Sequence, residues 1–246
     1  MIELNKIYNE DCLETLSKME DESVNLIITS PPYNKKTYEK TLEGEKKEKT
    51  RAWRLKTYDS FDDSMAPEEY EKWQKKVISE CLRVLKPTGS LFYNHKDILS
   101  DGRIIPPKWV YDFDIHQQII WNRGSSVAND PHYFQPITEY IYWFVKDNKN
   151  FFFDKSKAAY RQCVWNINFE INTKHPAPFP QALVGNIIHC CSKPQDIVYD
   201  PYMGSGTVAL MCTKYERNYI GSEISKEYCD YANERIDIES KQYKLF

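Results

Sequence analysis

The chain has 246 residues, a net charge of −3 and 41% hydrophobic residues, enough for one sizeable domain with a filled core. No apolar run approaches the roughly 18 residues of a membrane span, and no charged start followed by an apolar segment reads as a secretory signal. Seven cysteines, none in a CxxC pair, fit a reduced cytoplasmic protein without a structural zinc. Residues 1–33 read as strand, short helix and strand, the second strand being the apolar run from Val24 to Ile28. Pro67 suits the first turn of a helix. That helix keeps Tyr70, Trp73, Val77, Cys81, Leu82 and Leu85 on one face. Lys86-Pro87-Thr88-Gly89 stops it, and strands are predicted at Ser90–Tyr93, Gln118–Trp121 and Tyr140–Val145. A further strand, Ile197–Asp200, runs through a glycine-rich turn into a helix at Val208–Cys212 and then a strand at Asn218–Gly221. This alternation predicts an α/β domain: a doubly wound, mostly parallel sheet with helices on both faces.

Two segments carry chemistry. Ser30-Pro31-Pro32-Tyr33-Asn34 follows the first buried strand. Two prolines stop a strand at once and leave few backbone donors. A hydroxyl before the turn and an aromatic ring after it present acceptors and a stacking face to a planar ligand with an amino group. In the second segment, Pro201-Tyr202-Met203-Gly204-Ser205-Gly206-Thr207 separates a strand from a helix. That is the first half of a nucleotide-binding βαβ unit. Gly204 and Gly206 allow a tight turn and close approach to a ligand. The helix N-terminus attracts a carboxylate or phosphate. Glu223 lies 17 residues past Gly206, near the spacing of an acid that binds ribose hydroxyls. Asp200, at the strand end, is placed to take an ammonium group.

Together the SPPY and DPYMGSGT segments resemble the S-adenosylmethionine-dependent DNA methyltransferases that modify exocyclic amino groups. With the catalytic motif first and the glycine loop last, the chain is similar to their circularly permuted β group. The likeness runs through Asn9–Glu14, Leu85–Leu91, Ile119–Asn122, Glu139–Ile141 and His175–Pro180, and so covers nearly the whole chain as one methyltransferase domain, 1–246. It implies that Ser30 and Pro31 accept the amine protons, that Pro32 stiffens the turn and that Tyr33 stacks on the base. It also implies S-adenosylmethionine as cofactor. Asp11, Cys12, His175, Pro176, Phe179, Asp200, Pro201, Tyr202, Gly204, Ser205, Gly206, Thr207, Glu223 and Ile224 would hold it, with Thr207 capping the helix. Asp11 also reads as a plain helix cap. Tyr202 stands where the family commonly has Phe and keeps the stacking surface. No metal is implied, and no zincin, paired Cys/His or nucleophile-elbow pattern is present.

Double-stranded DNA is the implied partner, with the target nucleotide flipped from the stack. Residues 35–56 hold nine Lys or Arg against four Glu, +5 locally, so the rest of the chain carries −8. A basic loop over 35–58, mobile without substrate, is expected to contact phosphates through Lys35, Lys36, Arg51 and Arg54. A small target-recognition region is expected within about 123–174, using Arg123 and Arg161. A cognate restriction endonuclease and a homodimer are partners that the family admits. Ser at the first motif position favours cytosine N4 over adenine N6. An RNA or protein methyltransferase, a silent DNA-binding homologue and a dehydrogenase are weaker readings. Motif order, the intact active site and the incomplete GxGxxG speak against them in turn.

Overall fold

A computed structural model describes residues 2–34, 65–100, 103–126, 132, 134–170 and 178–243. Eight strands form one sheet, ordered β1 (Lys6–Tyr8), β10 (Asn218–Ser222), β9 (Ile197–Asp200), β2 (Val24–Thr29), β3 (Leu85–His95), β7 (Thr138–Val145), β6 (Ile115–Asn122) and β8 (Val164–Asn166). A separate hairpin joins β4 (Ile98–Ser100) and β5 (Arg103–Ile105). The strands from β1 to β3 run parallel, β7 is antiparallel to β3 and β6, and β8 is parallel to β6. The sheet is thus the expected mostly parallel one, and the last two strands of the chain lie between the first two.

Alternation along each strand feeds two cores. Leu26, Ile28, Phe92 and Val198 face one layer. It is built from α3 (Gln181–Cys191), α4 (Thr207–Lys214) and α5 (Lys226–Tyr243). Ile27, Leu91, Tyr93 and Tyr199 face the other layer, built from α1 (Cys12–Ser17) and α2 (Pro67–Val84). Residues of period two on a sheet must pack this way. Helix α5 lies beyond the sequence expectations, because charged and apolar residues mix along it with little periodicity.

Pro67 opens α2, where its missing N–H costs nothing. Helix α2 ends at Val84 and β3 starts at Leu85 without an intervening loop. The expected stop at 86–89 is therefore the first part of a strand, irregular opposite Val24 to Leu26. A side chain at Gly89 would meet the Asn25 carbonyl oxygen at 2.7 Å, so the two strands close only over glycine.

The order β9–β2–β3 puts the carboxyl ends of β2 and β9 side by side. Chain direction changes around this pair, which is where open α/β sheets bind ligands. Ser30 follows one strand end and Asp200 closes the other. Among the described residues, no helix is long and apolar enough to cross a membrane.

Candidate active site

An open cleft lies at these strand ends, the place where small-molecule sites of open α/β sheets form. Its lining joins both halves of the chain: Asp11, Cys12, Ser30, Pro32 and Tyr33 from the first, and Phe179, Asp200, Pro201, Tyr202, Gly204, Ser205, Thr207, Glu223 and Ile224 from the second. Fourteen of the sequence-derived candidates therefore share one cleft. Pro31 and Gly206 do not line it. His175, Pro176, Lys35, Lys36, Arg51 and Arg54 lie outside the described residues, as does the whole basic loop at 35–58.

The cleft floor holds two carboxylates. Asp200 is 3% exposed and accepts bonds from Thr29 Oγ1 and the Tyr202 backbone N–H, both at 3.0 Å and both on Oδ1. Its Oδ2 has no partner among the described residues. Burial, aided by Glu223 nearby, pushes its carboxyl up to about 7; desolvation disfavours the charged form. Glu223 accepts the Gly204 N–H on Oε2 and the Ser225 N–H on Oε1, each at 2.8 Å. Burial raises its pKa as well, against the pull of those donors. Each Glu223 oxygen keeps a lone pair for a further donor. Two carboxylates with spare acceptor capacity beside apolar walls fit a ligand with a cationic end, a diol and a flat ring.

The glycine turn works differently from its sequence reading. Gly206, at φ 80°, is the N-cap of α4, so Thr207 is the first helical residue and caps nothing. A Cβ at Gly206 would lie 2.6 Å from Ala232 Cβ. Close approach to helix α5, together with the left-handed backbone, is enough to require this glycine. Gly206→Ala is expected to destabilise the fold by about 1–3 kcal/mol. A melt of the variant should show a midpoint several degrees lower. Asp11 caps α1, accepting the Leu13 N–H at 2.8 Å, and also lines the cleft, so its role as a helix cap leaves it facing the cleft. In sequence, Trp73 belongs to the apolar face of α2. It reaches the cleft, edge-on to Tyr202 with ring centroids 5.7 Å apart.

At the cleft mouth the SPPY turn is fastened from behind. Tyr70 Oη donates to the Pro32 carbonyl at 2.7 Å and lies 3.1 Å from His95 Nε2. His95 is fully buried, with Nδ1 2.8 Å from the Lys96 carbonyl. Burial holds its pKa at about 3, so the ring is neutral and structural. Ser30 Oγ and Tyr33 Oη are 2.7 Å apart. Tyr33 is 5% exposed, and Lys96 Nζ sits 5.3 Å from its ring centroid. The His95 ring packs edge-on against Tyr33 as well, with centroids 4.9 Å apart.

Arg123 and Arg161 separate from the site in different ways. Arg123 turns inward, 3.2 Å from Glu139 and donating to the Pro136 carbonyl at 3.0 Å. The sequence reads it as a surface cation because Glu139 is distant in the chain. Arg161 is exposed and donates to the Ser156 carbonyl. The interval 123–174 also contains β7 and β8, two strands of the main sheet.

Comparison with known proteins identifies the family. Residues 24–234 match the N6/N4 methyltransferase family, described as DNA methylase. The chain belongs to this family. The methylase is 30% identical over 282 residues to the type II methyltransferase M.BglII of Bacillus subtilis, covering 99% of this chain and 72% of that one. It is 29% identical over 270 residues to the DNA adenine methyltransferase YhdJ of Escherichia coli K12, covering 97% and 84%. In fold, it matches the cytosine-N4-specific PvuII DNA methyltransferase with a TM-score of 0.73 at 21% identity, over 97% of this chain and 91% of that one.

Proposed function

We propose that this DNA methylase moves a methyl group from S-adenosylmethionine to the exocyclic amino group of a base flipped out of duplex DNA, with cytosine N4 as the target. The observation that carries this reading is Ser30 and its rigid Pro-Pro turn opening onto the same cleft as Asp200 and Glu223. S-adenosylmethionine supplies a methyl group already activated on a positively charged sulfur. Asp200 Oδ2 would hold the ammonium end, Glu223 would accept the ribose hydroxyls, and Asp11, Trp73, Tyr202 and Ile224 would surround the adenine. Phe179 walls the methionine part.

An aromatic amine is a poor nucleophile, because its lone pair is delocalised into the ring. Ser30 Oγ, which lines the cleft, accepts one of its N–H groups and turns that pair toward the methyl group; the family resemblance gives the second N–H to the carbonyl of Pro31, next to the cleft-lining Pro32. When bound, S-adenosylmethionine would supply the methyl group and keep the C–S bonding pair on sulfur, and the proton that the methylated amine must lose would pass to solvent water. A turn held by two prolines and by Tyr70 needs little reorganisation.

Asp200 sets a pH dependence. A cationic ligand end needs the ionised carboxylate, so cofactor affinity is expected to rise about tenfold per pH unit below about pH 7 and to level off above it. Calorimetric titration across this range checks the slope. Asp200→Asn should remove the slope, and a flat wild-type profile would take Asp200 out of this role.

The basic segment after SPPY is proposed to contact phosphates, and the flanks of β7 to read sequence. To test the function, the protein is incubated with labelled S-adenosylmethionine and unmethylated genomic DNA, and the digested nucleosides are identified by mass spectrometry. N4-methylcytosine is the expected product. N6-methyladenine would reverse the base, a second reading favoured by the adenine methyltransferase among the relatives. No label in DNA would overturn the proposal.

A further inference from the structure

Behind Ser30 lies a buried polar chain that the SPPY motif does not contain. Tyr33 Oη donates to Glu139 Oε2 at 3.1 Å. Asn94 Nδ2 donates to the same Oε2 at 2.8 Å and to Tyr33 Oη at 2.7 Å. Arg123 closes the chain, 3.2 Å from Glu139 Oε1. Glu139 is 5% exposed and Asn94 1%. A buried carboxylate costs several kcal/mol of desolvation, and the strand that carries it is otherwise almost wholly aromatic and aliphatic. Packing alone would be served better by another apolar residue.

Counting protons gives the chain a direction. A tyrosine hydroxyl has one proton and two lone pairs. Its proton goes to Glu139, and one lone pair takes the Asn94 N–H. The 2.7 Å contact with Ser30 can then be made only if Ser30 donates. The Ser30 proton is thereby committed to Tyr33, and what Ser30 offers the cleft is lone pairs alone. If the carboxylate is removed, the Tyr33 proton can turn to Ser30. The serine proton is then released toward the substrate amine, and donor faces donor.

We propose that Glu139 is a positioning residue that, through Tyr33, holds Ser30 as a pure hydrogen-bond acceptor for the target amino group. This rests on the assignment of Ser30 to that amine. Glu139→Gln cannot restore the arrangement by rotating. One orientation turns its NH₂ on the Asn94 amide, and the other turns it on the Arg123 guanidinium.

The test measures single-turnover methyl transfer into DNA by Tyr33→Phe, Glu139→Gln, the double variant and Ser30→Ala, with cofactor affinity and melting midpoint for each. Tyr33→Phe keeps the ring and removes only the hydroxyl. Each single variant is expected to lose about tenfold or more in rate, the scale of one misdirected hydrogen bond, with unchanged cofactor affinity. The double variant should be no slower than the slower single, because both act on one bond. Losses that multiply in the double variant, or a wild-type rate in Tyr33→Phe, overturn the proposal. If Glu139→Gln fails to fold, Tyr33→Phe alone decides. Ser30→Ala separates the two assignments. If it is inactive while the other variants are active, only the chain has failed; if it is active, the amine contact itself has failed.

Discussion

Ser30→Ala is expected to slow methyl transfer about a hundredfold or more, the loss seen when one preorganised polar group is removed from a transition-state site, and to leave cofactor binding unchanged. The physical basis is the separation of tasks within one cleft. Ser30 follows β2, and its hydroxyl is tied to Tyr33 and, at 3.4 Å, to Asn94. Asp200 ends β9, Glu223 follows β10, and both are held by backbone N–H groups. Removing one oxygen from the first group disturbs no bond in the second. Rates are read by single-turnover transfer and binding by calorimetry on the same preparations. A near-normal rate would remove Ser30 from the acceptor role.

Glu223→Gln is expected to weaken cofactor affinity about a hundredfold. A hydrogen bond to a charged group is worth about 1.5–3 kcal/mol, and each 1.4 kcal/mol is about tenfold in affinity. The carboxylate is assigned two hydroxyl bonds. In the amide, one of the Gly204 and Ser225 N–H groups also faces an NH₂ instead of an acceptor, so the turn loses a fastening. At saturating cofactor the rate should fall much less than the affinity. An affinity within about threefold of wild type, less than the smallest such bond is worth, would leave Glu223 as a brace for the glycine turn alone.

Much of this was legible in the chain because it is local. The run Val24–Ile28 stopped by two prolines, and the strand–glycine–helix passage around Gly204, each carry their meaning within a dozen residues. Their meeting in one cleft follows from motif order. Other features depend on partners far away in sequence. Glu139 sits 106 positions from the Tyr33 hydroxyl it accepts from, and only a lone carboxylate opening an aromatic strand hinted at it. Arg123 carries the composition of a phosphate contact, but a salt bridge to that carboxylate is what it makes. Trp73 fits the apolar face of α2, yet its ring reaches past the helix to Tyr202. Gly206 reads as a ligand contact because its true neighbour, Ala232, lies on a helix with no clear periodic signal.

The most direct measurement is a crystal structure of the protein with S-adenosylmethionine. The expected result has the ammonium on Asp200 Oδ2, the ribose hydroxyls on Glu223 and the methyl group open toward Ser30 Oγ. A cofactor bound outside the cleft between β2 and β9, or turned so that its methyl group faces away from Ser30, would contradict it.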